Sequence, residues 1–177
     1  MQGLEGGPRG CAPEGHSLPA YAYALNNPIA FTDSTGNMPD SIRMKMLAMI
    51  ARGDVVGAGE YYRLATGASQ LPRWLSAMQQ AFNAGNQVAG KCEGVANNIA
   101  EGFKKLRQNP QLVKVFGDAG QYLSWRGQQM VSNNNFHVAV MNGGRIYDAY
   151  TGPAGMTWVE HQAAMQTANN LLYTVLP

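Results

Sequence analysis

The chain has 177 residues, of which 45% are hydrophobic and only 14% charged, and its formal net charge is +2. That length holds one domain with a sizeable core, and the apolar content excludes a disordered chain. The weak charge offers no basic stripe for a phosphate backbone, no apolar run reaches the ~20 residues that span a bilayer, and residues 1–19 lack the apolar segment of a secretory signal.

Residues 1–39 are rich in Gly and Pro and read as irregular. Within them, Tyr21 to Leu25 and Ile29 to Thr32 form two short predicted strands around an Asn26-Asn27-Pro28 turn, followed by a turn at Asp33 to Gly36. Two such strands bury little and look like the end of something larger. Cys11 and His16 lie in this stretch. Cys11 reads as a mobile thiol, so a disulfide to Cys92, the other cysteine, is not expected. The sequence contains no CxxC and no HExxH, so neither a metal nor a cofactor is expected.

Residues 40–85 read as three helices. Asp40 or Ser41 caps the first, with Ile42, Met46, Met49 and Ile50 on one face. Gly53-Asp54 breaks it. The second runs from Val55 to Ala65 and ends near Gly67. Leu71-Pro72 starts the third, which Gly85 stops. The many methionines read as core filling.

A fourth predicted helix runs from Cys92 to Leu106. Val95, Ala96, Ile99, Phe103 and Leu106 recur at helical spacing and define its buried face, while Lys104, Lys105 and Arg107 read as a solvated one. Cys92 stands at the helix N-terminus, where unpaired N–H groups and the dipole favour a thiolate.

After Asn109-Pro110 the pattern turns to strands. Gln121 to Val131 reads as one strand or two. Phe136 to Met141 and Arg145 to Tyr150 flank Asn142-Gly143-Gly144, a strong hairpin signal. An Asn142-Gly143 loop sets His137 opposite Asp148; a Gly143-Gly144 loop sets Asp148 opposite Ala139, diagonal to His137. Either register keeps imidazole and carboxylate on one face. The chain closes on a predicted helix from Thr157 to Tyr173, with His161 on its solvated face and Trp158 in the core.

A cysteine at a helix start, then a histidine and an aspartate on adjacent strands, is the papain-like order. In such a site Cys92 is the nucleophile and His137 its base. Asp148 fixes the imidazole tautomer and stabilises the imidazolium. Gln87 and Asn86, five and six residues before Cys92, are candidate oxyanion-hole donors beside the Cys92 backbone N–H.

Two resemblances extend this reading. Gly3-Leu4-Glu5-Gly6-Gly7, Tyr21-Ala22-Tyr23, Asn26-Asn27-Pro28 and Asp33-Ser34-Thr35-Gly36 resemble the end of the Rhs/YD-repeat core of bacterial polymorphic toxins, with Ser34 where that family has Pro. Phe136 to Val140 and Tyr147 to Pro153 resemble the papain-fold toxin domains at the tips of such proteins. The resemblance implies a core remnant and linker at residues 1–39 and an α+β, papain-like cysteine protease fold at 40–177, with a helical half packed on a small antiparallel sheet. It implies an antibacterial effector, exported by contact-dependent, type VI-like delivery. Such an effector acts as a monomeric cysteine protease in the target cell's cytoplasm and is held in check at home by a cognate immunity protein. Its substrate is a protein of the target bacterium, with no nucleic-acid or membrane partner. The same triad serves a glutamine deamidase or transglutaminase. Two other classes compete: a binding module whose cleft has lost activity, and a toxin nuclease, which wants a metal-ligand cluster or a basic groove that the sequence does not display.

Overall fold

The fold is seen in a computed structural model that describes residues 38–118, 122–132, 134–167 and 170–176. Cys11, His16, the two early strands and the whole Rhs-like stretch lie outside the described residues.

Four helices come first: α1 (Asp40–Ile50), α2 (Val55–Thr66), α3 (Arg73–Ala81) and α4 (Cys92–Lys105). Asp40 does not cap α1 with its side chain. It occupies the first turn, where its Oδ1 lies 3.0 Å from Arg43 and 3.2 Å from Arg107. Gly53, at φ +86°, makes the turn out of α1. Asp54 caps α2 by accepting from the Gly57 N–H at 2.8 Å, and Gly67, in the left-handed region, ends it. Helix α3 is shorter than its pattern suggests, because the chain leaves it at Phe82 and makes a single 3₁₀ turn at Ala84–Asn86. Ile42, Met46 and Ile50 of α1 pack with Leu75 and Met78 of α3 and Ile99, Phe103 and Leu106 of α4 in one core. Met46 and Met78 fill it without exposure. Phe103 also meets Tyr147 edge-on at 4.8 Å. Phe103→Ala is expected to cost about 3–5 kcal/mol of stability, read as a lower midpoint in urea at unchanged slope.

The second half holds two antiparallel sheets. The larger has the order β6-β5-β4-β1-β8, from β1 (Gln111–Gly117), β4 (Phe136–Asn142), β5 (Arg145–Tyr147), β6 (Met156–Thr157) and β8 (Leu171–Val175). The smaller has the order β3-β2-β7, from β2 (Leu123–Trp125), β3 (Gln129–Ser132) and β7 (Met165–Gln166). The stretch before Val131 is thus two strands, separated by a turn in which Arg126 and Gly127 both have positive φ.

Strand β4 faces both halves of the molecule. Val138 and Val140 join the helical core. The alternate residues His137 and Ala139 pair with Val115 and Val113 of β1, which pack against Leu123, Trp125 and Val131 in a second core. The β4–β5 pairing sets Asn142 against Arg145 and Val140 against Tyr147. The loop is therefore Gly143-Gly144, with φ of +57° and +76°, as a two-residue turn of the primed type requires. Of the two registers the sequence allows, this is the one that brings Asp148 level with Ala139.

The C-terminus corrects the sequence reading. Its helix, α5, covers only Trp158–Ala164, and the chain then forms β7 and β8. Leu171 to Val175 carries a helix-compatible leucine pair, but Tyr173, Thr174 and Val175 favour a strand. The outer edge of β1 supplies the partner, from Val113–Val175 to Gly117–Leu171.

Candidate active site

Cys92 is the first residue of α4, half-buried, at the positive end of the helix dipole. His137 lies near the start of β4. Its Nε2–H donates to Asp148 Oδ2 at 2.8 Å, within a bond that is almost wholly buried: His137 is 2% exposed and Asp148 0%. With Nε2 committed to the carboxylate, Nδ1 is the nitrogen left for chemistry, and it has no hydrogen-bond partner among the described residues. The Cys92 thiol interacts with this ring. The three predicted triad residues are therefore brought together, from the helical half, the central strand and the turn after β5.

Their ionisation is coupled. Burial alone pushes the Cys92 thiol up. The interaction with His137, the backbone at Val138 and Glu93, and the imidazolium charge outweigh it, and the thiol ends below its ordinary value. Burial would likewise lower His137. The bond to Asp148, the interaction with Cys92 and the charges of both instead raise it from 6.5 to about 9. The shifts point the same way, each favouring the charged form of the pair, thiolate and imidazolium.

The carboxylate at the base of this pair is held from two sides. Burial would raise Asp148, but hydrogen bonds from His137 and His161, and their charges, hold its carboxyl well below the usual range. Its Oδ1 accepts from the N–H groups of Tyr150 at 2.8 Å and Thr151 at 2.7 Å. The Asp148 N–H donates to the Thr151 hydroxyl at 2.9 Å. This is the local logic of Asp148-Ala149-Tyr150-Thr151: an aspartate that folds the backbone back onto its own side chain makes a tight, self-satisfied turn.

The two amide candidates separate. Gln87 Nε2 donates to the Ala149 carbonyl at 2.9 Å, inside the Asp148 turn, and the Gln87 carbonyl accepts from Gln129 Nε2 at 2.9 Å. Its side chain thus spans from the helical half to the triad's turn and keeps a second N–H in hand. Asn86 turns the other way and donates to the Gln80 carbonyl at the end of α3 at 2.7 Å. Gln87 is the residue placed with the triad.

Two further residues belong here. Tyr150 sets its ring edge-on to His137, with centroids 5.8 Å apart, and tilts against Trp125 at 5.5 Å. It walls the imidazole–carboxylate bond from water. Burial and the negative charges of Asp148 and Cys92 push its phenol up to about 12, so it stays neutral. His161, expected on a solvated face, is instead fully buried, with Nε2 3.4 Å from Asp148 Oδ2. The signal that finds it is Thr157-x-x-Glu160. This forms a reciprocal capping box, fixes the helix start at Trp158 and puts His161 and Ala164 on the inward face. Trp158 packs partly buried against the second core, its ring tilted against Tyr173 with centroids 4.3 Å apart.

Among the described residues, no group of three His, Cys, Asp or Glu is placed to hold a metal ion, and no helix is long and apolar enough to cross a membrane. No protein-family model, curated protein or solved structure gives a significant match to the chain.

Proposed function

We propose that the chain is a papain-like cysteine hydrolase that cleaves amide bonds through a Cys92 thioester, acting as a protease on a protein of a rival bacterium. The observation that carries the reading is the buried Asp148–His137 bond, with the Cys92 thiol interacting with the same imidazole. The α4 N-terminus supplies the positive potential that the thiolate needs.

The chemistry follows from this geometry. The Cys92 thiolate adds to the amide carbonyl, and the oxyanion forms between the Cys92 N–H and the Gln87 amide. His137 gives its Nδ1 proton to the departing nitrogen as the C–N bond breaks, leaving an acyl-thioester and a neutral imidazole. Water then attacks the thioester. His137 removes its proton and the thiolate leaves, which restores the starting pair. Asp148 keeps its proton-free state throughout and holds Nε2–H, so that Nδ1 remains the working nitrogen. The toxin role rests on the Rhs-like and papain-toxin-like motifs of the sequence, including Phe136 to Val140 and Tyr147 to Pro153.

The test is growth of a susceptible bacterium expressing the chain or its Cys92→Ala variant, with proteome-wide mass spectrometry on both. A toxic wild type, a harmless variant and new protein termini are expected. Glutamine-to-glutamate conversions without new termini would reassign the same site to a deamidase, and equal killing by both proteins would overturn it. Gln87→Ala is expected to lower turnover on the order of 100-fold, with Asn86→Ala close to wild type. Assaying the two variants side by side on one amide substrate checks the oxyanion assignment.

A further inference from the structure

Asp148 Oδ2 lies between two buried imidazoles, with His137 Nε2 at 2.8 Å and His161 Nε2 at 3.4 Å. His161 has no exposure at all, and its Nδ1 has no partner among the described residues. A histidine buried for packing alone forfeits hydrogen bonds that an apolar residue would not need. Among the described residues this side chain makes a single hydrogen bond, and it makes it on the carboxylate that orients His137.

We propose that His161 is a positioning residue of the site, an Nε2–H donor that fixes the Asp148 carboxylate so that its Oδ2 stays aligned on His137; the inference rests on the thiol-hydrolase reading above. The tautomer follows from the surroundings. Proton on Nε2 leaves only a lone pair unsatisfied at Nδ1, whereas the Nδ1–H tautomer would set two lone pairs against each other at Oδ2 and bury an unpaired N–H. The carboxylate needs the second anchor. The backbone N–H groups of Tyr150 and Thr151 both hold Oδ1, so among the described residues the hold on Oδ2 apart from His161 is His137 itself, the ring the carboxylate has to orient.

His161 is itself held rigidly. The capping box fixes α5, and the ring lies between Trp125 of β2 at 5.8 Å and Tyr173 of β8 at 6.2 Å. The charged and titratable groups around it are few. Asp148 faces it from the turn after β5, with His137 of β4 beyond. Tyr173 of β8 is kept neutral by burial, which pushes its phenol up to about 12. Arg126 lies over the Trp125 ring at 5.8 Å. On its own helix, Glu160 is taken up by Thr157.

The experiment measures the pH dependence of Cys92 alkylation by iodoacetamide, resolved by peptide mass spectrometry, with Cys11 in the same chain as the second thiol. It compares wild type, His161→Phe, which keeps packing without a donor, and His161→Gln, which restores an N–H. The acid inflection of Cys92 is expected to move up by a pH unit or more in His161→Phe, cutting reactivity at mildly acidic pH about ten-fold. His161→Gln should recover part of it. An unchanged or downward-shifted inflection in folded His161→Phe would overturn the inference. A wild-type Cys92 that titrates like an ordinary thiol would instead sink the thiol-hydrolase reading itself. Nitrogen-15 NMR of the wild-type imidazoles needs no variant: His161 should carry its proton on Nε2, and a proton on Nδ1 alone would rule out donation to Asp148.

Discussion

His137→Ala is expected to return the Cys92 thiol to ordinary acidity and to reduce turnover by on the order of 10⁴-fold. In the wild type, the thiolate is stabilised chiefly by its interaction with the imidazolium, against the cost of burial. Cys92 should therefore alkylate at pH values where a free thiol, with a pKa near ~8.5, is still protonated. Activity should rise through the acid inflection as the pair forms. It should fall again as pH passes about 9, where His137 gives up the proton that the leaving nitrogen needs. The two apparent values belong to the coupled pair rather than to either residue. In His137→Ala the acid inflection should vanish and leave one thiol titration. A variant that keeps the early inflection would show that the helix N-terminus alone activates Cys92, and that His137 is not its partner.

The parts of this site that local pattern specifies were readable from the chain. Cys92 could be put at a helix start because Val95, Ile99 and Phe103 fix the helical phase behind it. His137 and Asp148 could be put on one face because both two-residue loops that Asn142-Gly143-Gly144 can form preserve it. What could not be read was set by tertiary partners. Leu171 to Val175 carries a weak local signal, and only the open edge of β1 makes it a strand. His161 looked solvated on a long helix. On the short helix that ends at Ala164, Trp125 of β2 and Tyr173 of β8 cover it, strands whose places are set by β7 pairing with β2 and β8 with β1. The split between Gln87 and Asn86 was likewise invisible in one dimension. It depends on a 3₁₀ turn that turns Asn86 back to Gln80 and sends Gln87 to Ala149.

Asp148→Ala is expected to cost stability as well as activity. The side chain has no exposure and accepts from His137, His161 and two backbone N–H groups. Its removal strands four donors, two of them on buried imidazoles, and takes away the counter-charge of a buried imidazolium, a loss of about 3–5 kcal/mol. The linkage signs give a second readout. His137 is raised in the folded protein from 6.5 to about 9. The stability it contributes is fully present below 6.5 and is lost as pH rises toward 9. Asp148 is depressed below its ordinary 3.8. Its contribution is present above that value and is lost as pH falls through the folded one. Urea midpoints of the wild type should therefore decline across the mildly alkaline range. Asp148→Ala should flatten that decline, since the carboxylate is the largest influence raising His137. Asp148→Asn separates charge from shape. An amide that turns its oxygen to Tyr150 and Thr151 presents N–H groups to two imidazole donors, so it too should lose about 1–3 kcal/mol. An Asn variant with full stability and an unshifted alkaline limb would mean that neither the charge nor the four-donor geometry of Asp148 sustains His137.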